Sequence, residues 1–199
     1  HVLHCISTLD KVFQGKKDVQ QRYLEALRKN EVPGLLYLIL FMHDLGKDKG
    51  PKGHCERGVE IGRNLLNRLD IAEEMHDRVL FVIRNHLEMV RYANKFDLED
   101  PEVIDSFAAF IEGEQRLRFL YVHTFCDANA TAPDLWNDHK EELHTQLFTN
   151  TLAVLEGKHA RKDPSTLKDA YKDMKVEGVS KEEILHHLEQ VPIRYFSHT

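Results

Sequence analysis

With 199 residues, 42% of them hydrophobic, the chain is long enough for one domain with a substantial core, or one domain plus a small appendage. A charged fraction of 30% and a formal net charge of −6 describe a solvated surface without a basic face, which argues against a dedicated nucleic-acid binder. The longest apolar run, LLYLILFM at 35–42, is far short of the ~20 residues that cross a bilayer, and no signal peptide is evident, so no membrane span is expected.

Apolar positions recur at helical spacing almost everywhere and no period-2 strand pattern appears, so the expected fold class is all-α. The first helix carries Val2, Ile6, Leu9 and Phe13 on one face and is stopped by Gly15. A second spans 19–29 around Tyr23, Leu24 and Leu27, and EVPG then breaks the chain before a buried helix over 35–45. After the DKGPKG loop come helices over 55–69 and 72–89, followed by a polar connection ending at Asp100-Pro101. Proline suits the first turn of the next helix, 102–112, and further helices are expected over 115–130 and 135–156. From Gly157 onward the sequence is charged and interrupted by Gly, Pro and Ser, and only 181–190 there has a helical pattern. The expected organisation is one helical domain over 1–157 and a tail over 158–199 that leads toward further domains.

The cysteines Cys5, Cys55 and Cys126 are odd in number, widely spaced and free of any CxxC pattern. Neither a disulfide framework nor a zinc ribbon is indicated, and a reducing, cytoplasmic compartment is expected. Cys55 and Cys126 are read as small packing residues. The chain opens at His1 rather than methionine, so it is read as part of something longer.

Chemistry concentrates where apolar faces end in polar groups. His43 follows Leu40, Ile39 and Leu36 by three, four and seven residues, which places it on the inward stripe of its helix. His86 follows Val82 and Val79 by four and seven, Asp127 follows Thr124 and Leu120 by three and seven, and His1 shares a face with Cys5 and Val12. Taken singly, each has an ordinary structural reading: His86 as a satisfied core histidine, Asp127 as a helix cap, His54 as a surface residue near a cap. Lys47, three residues after Asp44, reads either as a solvated helix-end lysine or as a holder of phosphate. The other histidines, among them His186, His187 and His198, are read as solvated. Together, four helices each aim an imidazole or carboxylate inward, and a buried ionised carboxylate is costly unless paired or bound to metal. One shared cation site explains the set. Such a cation also lets an acidic protein act on nucleotides.

With His1, His43-Asp44, His86 and Asp127 in this order, the chain resembles the HD superfamily of metal-dependent phosphohydrolases. HDLGKDKGPKGHCERG, RNHLEMVRYANKFDLEDPEVIDSFA and LRFLYVHTFCDANATAPDLWNDHK are similar, in order and spacing, to the HD domain of the bacterial PII uridylyltransferase/uridylyl-removing enzymes. The closing VPIRYFSHT is similar to the segment leading to their ACT domains. The resemblance implies an HD-type helical bundle, with neighbouring nucleotidyltransferase and ACT domains in a longer chain. It implies a first metal site of His1, His43, Asp44 and Asp127, with Asp44 placed to bridge to a second ion served by His54 and His86. It implies catalytic roles for Asp44, Lys47, His54 and His86, where His54 or His86 orients water or protonates the leaving oxygen if only one ion binds. Asn129 stands where the family pattern leads one to expect an arginine, and Phe96 stands near another such position.

The implied cofactor is one or two divalent ions, Mn, Fe, Co, Mg or Zn, and the implied reaction is removal of UMP from a uridylylated PII-like signal protein. Two other readings stay open: an HD nucleotide phosphohydrolase or cyclic-nucleotide phosphodiesterase, and a non-catalytic regulatory domain with a residual metal site.

Overall fold

The computed structural model describes residues 1–131 and 136–157 together with positions 180, 182, 183 and 186. Among the described residues the chain forms nine α-helices and no strand: α1 Val2–Gln14, α2 Asp18–Arg28, α3 Leu35–Met42, α4 His54–Arg68, α5 Glu73–Asn85, α6 Glu88–Lys95, α7 Pro101–Ile111, α8 Glu114–Thr131 and α9 Asp138–Leu155. One turn of 3-10 helix, Leu45–Lys49, lies between α3 and α4. The fold is all-α, as its periodicity predicts. Most of the expected tail helix at 181–190 lies outside the described residues, as do residues 158–179.

Two expected helices end early, and each ends on a histidine. The helix expected over 35–45 stops at Met42, and the one expected over 72–89 divides into α5 and α6. In a continuing helix the N–H of Asp44 would bond the carbonyl of Leu40, and that of Leu87 the carbonyl of Ile83. Instead His43 Nδ1 donates to Leu40 O at 2.8 Å and His86 Nδ1 donates to Ile83 O at 2.8 Å. The imidazole takes the acceptor that the next peptide would use. Residues 90–95, expected as polar connection, are helical in α6 because Met89 is buried and Tyr92 and Ala93 pack against the core. Helix α9 starts at Asp138, where Asn137 Oδ1 accepts from Lys140 N at 3.0 Å.

Helix α8 is the axis of the bundle and packs against α1, α2, α3, α5, α6, α7 and α9. Its residues 117–126 are all buried, so it has no polar face along that stretch. The Tyr23 ring of α2 stacks 4.0 Å from Phe125 and 4.4 Å from Tyr121, measured between centroids. The Tyr23 hydroxyl donates to Glu141 Oε2 at 2.9 Å, which joins α2 to α9. Helix α4 closes on α5 through Gly58 and Gly62, where an added Cβ would sit 3.1 Å and 3.2 Å from Ile83. Among the described residues no helix is long and apolar enough to cross a membrane.

Three histidines expected to be solvated are buried instead. His76, His123 and His144 are all buried. His144 packs between Tyr121 and Trp136, and its Nε2–H donates to Tyr121 O at 3.0 Å. Burial pulls its pKa down from 6.5 to about 4. The unfolded chain binds this proton near pH 6.5 and the folded chain only near pH 4, so the stability His144 contributes is complete above pH 6.5 and is lost as the pH falls toward 4. The loss is on the order of 3 kcal/mol. Urea denaturation across this window should show the decline, and His144→Gln, which keeps a donor within reach of Tyr121 O, should flatten it.

Candidate metal centre

Three imidazoles enter the centre from helix ends. His43 is the residue after α3, His86 the residue after α5, and His54 the first residue of α4. His54 Nδ1 donates to Pro51 O at 2.6 Å, so all three rings place Nδ1–H on a backbone carbonyl three residues earlier. A carbonyl only accepts, so Nδ1 carries a proton in each ring and Nε2 is the atom left to face the centre. These nitrogens converge. His54 Nε2 and His86 Nε2 are 3.2 Å apart, and the His43 and His86 rings meet edge to face at 5.3 Å between centroids.

Asp44, which follows His43 and is 13% exposed at its side chain, divides its carboxylate between two clusters. Its Oδ2 lies 3.4 Å from His43 Nε2 and 3.9 Å from His1 Nε2. Its Oδ1 lies 4.0 Å from His54 Nε2 and 3.9 Å from His86 Nε2. Asp127, on α8, brings Oδ1 to 2.7 Å from His1 Nε2 and 3.4 Å from His43 Nε2. Lys47 Nζ donates to Asp44 Oδ2 at 2.7 Å while half of its side chain remains exposed. All seven residues singled out from the sequence, His1, His43, Asp44, Lys47, His54, His86 and Asp127, therefore meet in one region.

The electrostatics of this region call for positive charge. Burial alone would lower the His43 pKa, yet the carboxylates of Asp127 and Asp44 outweigh it and raise the pKa to about 9. Burial alone would raise Asp44 and Asp127, but His43, joined at Asp44 by Lys47, holds both carboxyls below the usual range. His86, with burial against it and imidazoles beside it, is pushed toward the neutral form. Two carboxylates and a set of imidazoles, once His43 gives up its second proton, form the donor set of a divalent cation. Asp44 Oδ1 is buried without a hydrogen-bond partner, an arrangement that costs free energy unless something positive engages it. The residues present fit a divalent ion. His1, His43, Asp44 and Asp127 can hold one, and His54, His86 and Asp44 a second.

Sequence reasoning did not find two neighbours of the centre. His123, on α8, is fully buried with neither ring nitrogen hydrogen-bonded, and its ring packs 4.9 Å from His43 and 5.7 Å from His86. Cys55 is not a plain packing residue: its Sγ lies 3.5 Å from His54 Nε2. The signal for His123 was hidden, because residues 117–126 of α8 are buried on every side, so spacing there does not separate enclosed from solvated positions. Asn129, at an expected arginine position, donates to Phe125 O at 2.8 Å, and Phe96 stacks on Tyr92 at 4.7 Å. Beside Asp127 opens a cavity of about 510 Å³ whose wall includes Leu87, Val90, Trp136 and Leu143, with Arg91 and Lys140 adding positive charge.

Histidines at four helix ends thus gather around the adjacent pair His43-Asp44. The HD domain family model matches residues 5–116, more than half of the chain, and the chain belongs to this family. It is 36% identical over 159 residues to the bifunctional uridylyltransferase/uridylyl-removing enzyme of Azotobacter vinelandii, covering 78% of this chain and 17% of that one. It is 30% identical over 157 residues to the enzyme of the same name from Cereibacter sphaeroides, with the same coverages. The chain thus spans about 17% of the length of the curated relatives it matches. No solved structure shows significant similarity to it.

The loop that delivers His54 is held by close backbone packing. A Cβ on Gly46 would sit 2.1 Å from His54 O and 2.7 Å from Gly58 N, so only glycine lets the 3-10 turn lie against α4. Arg57 spans the same loop, donating to the carbonyls of Gly46, Gly50 and Lys52. Gly46→Ala should therefore destabilise the fold by about 1–3 kcal/mol in urea titrations. Arg57→Ala should leave the helical content intact in circular dichroism while trypsin cleaves faster at Lys49 and Lys52.

Proposed function

We propose that the chain is a metal-dependent phosphodiester hydrolase that removes UMP from a uridylylated PII-like signal protein. The observation that carries the hydrolase reading is the Asp44 carboxylate, whose two oxygens face two histidine clusters with their Nε2 atoms turned toward it. The uridylyl-removing part rests on the names of the relatives and on the sequence resemblance.

In this reading His1, His43, Asp44 and Asp127 hold one divalent ion, and His54 and His86 share Asp44 to hold another, drawn from Mn, Fe, Co, Mg or Zn. Ions bound there supply Lewis-acid chemistry, polarising a phosphoryl oxygen and lowering the pKa of water from ~15.7 toward ~7. The chain's residues then orient and neutralise. The carbonyl bonds on His43, His54 and His86 keep the rings from rotating as charge develops. Lys47, exposed along half of its side chain, can exchange its contact with Asp44 for a phosphoryl oxygen and offset the charge of the transferring group. The cavity beside Asp127 offers apolar walls to a nucleoside and positive charge to its phosphate. Water adds to phosphorus, the bond from phosphorus to the side-chain oxygen of the modified protein breaks, and that oxygen leaves with a proton as a free hydroxyl.

We further propose that residues 1–157 form the hydrolytic unit of a longer cytoplasmic protein that also carries nucleotidyltransferase and ACT domains. With Mn²⁺ present, purified protein should release UMP from uridylylated PII, and His43→Ala and Asp44→Ala should each lower kcat/KM by about 10²–10³-fold. Turnover unchanged from the unmutated chain in both variants would refute the hydrolase reading. Release of product from free nucleotides or cyclic nucleotides, but not from the modified protein, would reassign the substrate.

A further inference from the structure

The two clusters around Asp44 are not equally furnished. His1, His43, Asp44 Oδ2 and Asp127 Oδ1 already supply four nitrogen and oxygen donors to the first, with His43 3.4 Å from each carboxylate oxygen. The second has two imidazoles at 3.2 Å, and Asp44 Oδ1 stands back at 3.9 Å and 4.0 Å. Tetrahedral coordination at ordinary metal–ligand lengths places two nitrogens about 3.3 Å apart, and a sulfur about 3.6 Å from a nitrogen. The imidazole pair meets the first spacing. Cys55 Sγ, 3.5 Å from His54 Nε2, meets the second on the His54 side, and it lies 3.9 Å from His86 Nδ1. The ligand atoms of His54, Cys55 and His86 all lie within 4.8 Å of one another.

We propose that Cys55 is the third protein ligand of the second cluster, so that His54, His86, Cys55 and the inner oxygen of Asp44 form a mixed nitrogen, sulfur and oxygen site. The inference rests on the reading of His54 and His86 as holding an ion. As the sulfur–metal bond forms, the Cys55 thiol loses its proton to solvent. The soft thiolate biases this cluster toward zinc, cobalt or ferrous iron, whereas the imidazole-carboxylate first cluster also accepts manganese or magnesium. The two sites of one centre then differ in metal preference. Cys5 is the rival thiol, 3.5 Å from His1 Nε2, but its cluster has a full donor set without it.

Cobalt(II) titration of the 199-residue chain separates these possibilities without any assay of turnover. The expected result is d–d absorption accompanied by a thiolate-to-cobalt charge-transfer band in the near ultraviolet. That band should be lost in Cys55→Ser and kept in Cys5→Ser, and competition should show zinc binding weakened at least about tenfold in Cys55→Ser. Because a variant can disturb folding, the unmutated chain supplies a second measurement: bound zinc should slow alkylation of Cys55 by iodoacetamide about tenfold or more. Cobalt d–d absorption without a charge-transfer band, a band lost in Cys5→Ser instead, or alkylation of Cys55 unaffected by zinc would each overturn the proposal and leave the metal centre standing. Absence of any cobalt absorption would overturn both.

Discussion

The bond from each ring Nδ1–H to the carbonyl three residues earlier does two jobs at once. At His43 and His86 it satisfies a carbonyl in the last turn of a helix, and it does so with the proton whose position decides which nitrogen is left as a donor. Helix termination and ligand presentation are the same event. This is why the most apolar helix of the chain, α3, ends in its most polar pair: the helix buries its length, and its last carbonyls need partners at the point where the chain must leave. An ordinary solution would be glycine or water. Here an imidazole fills the role and its far edge faces the interior.

That arrangement creates an electrostatic problem that organises the rest of the centre. Three rings with outward-facing lone pairs repel additional acceptors, yet Asp44 and Asp127 sit among them. A proton on His43 supplies compensating charge, which is the physical content of its raised pKa beside two depressed carboxyls. One proton engages only one edge of Asp44. The other oxygen, Oδ1, stays buried and unbonded, facing His54 and His86. A cation on that side would do what no side chain in the region does.

Much of this was legible in the sequence, for a reason that also marks where legibility stopped. Periodicity assigns direction whenever a helix has one apolar and one polar face, so His43 and His86 could be placed on inward stripes from their spacing to Leu36, Ile39, Val79 and Val82. Helix α8 has no such contrast over 117–126, and there His123 passed for a solvated residue although both of its nitrogens are enclosed. Helix ends failed for a different reason. Propensity carried the third and fifth helices through 45 and 89, because nothing in a hydropathy pattern says that a side chain will take the carbonyl the next peptide needs. Cys55 was misjudged because adjacent helical residues ordinarily diverge, an expectation that weakens in the first turn of α4, where the backbone enters from the left-handed Gly53 at φ 70°.

The two clusters differ in what supports them. His43 and Asp127 stand on helices packed against each other through the α3–α8 contact, so their relative positions are fixed by core burial. His54 depends instead on a 3-10 turn pressed against α4 at Gly46 and on one arginine holding three loop carbonyls. Core packing is lost only on global unfolding, whereas a loop held by few buried contacts opens locally at lower cost. The His43–Asp127 pair is therefore preorganised and the second cluster is conditional on loop order. Asp44, last in the chain before that loop begins, belongs to both. An ion that draws Asp44 Oδ1 toward His54 and His86 would pull the start of the loop inward with it, coupling occupancy of the second cluster to the order of the segment that carries Lys47.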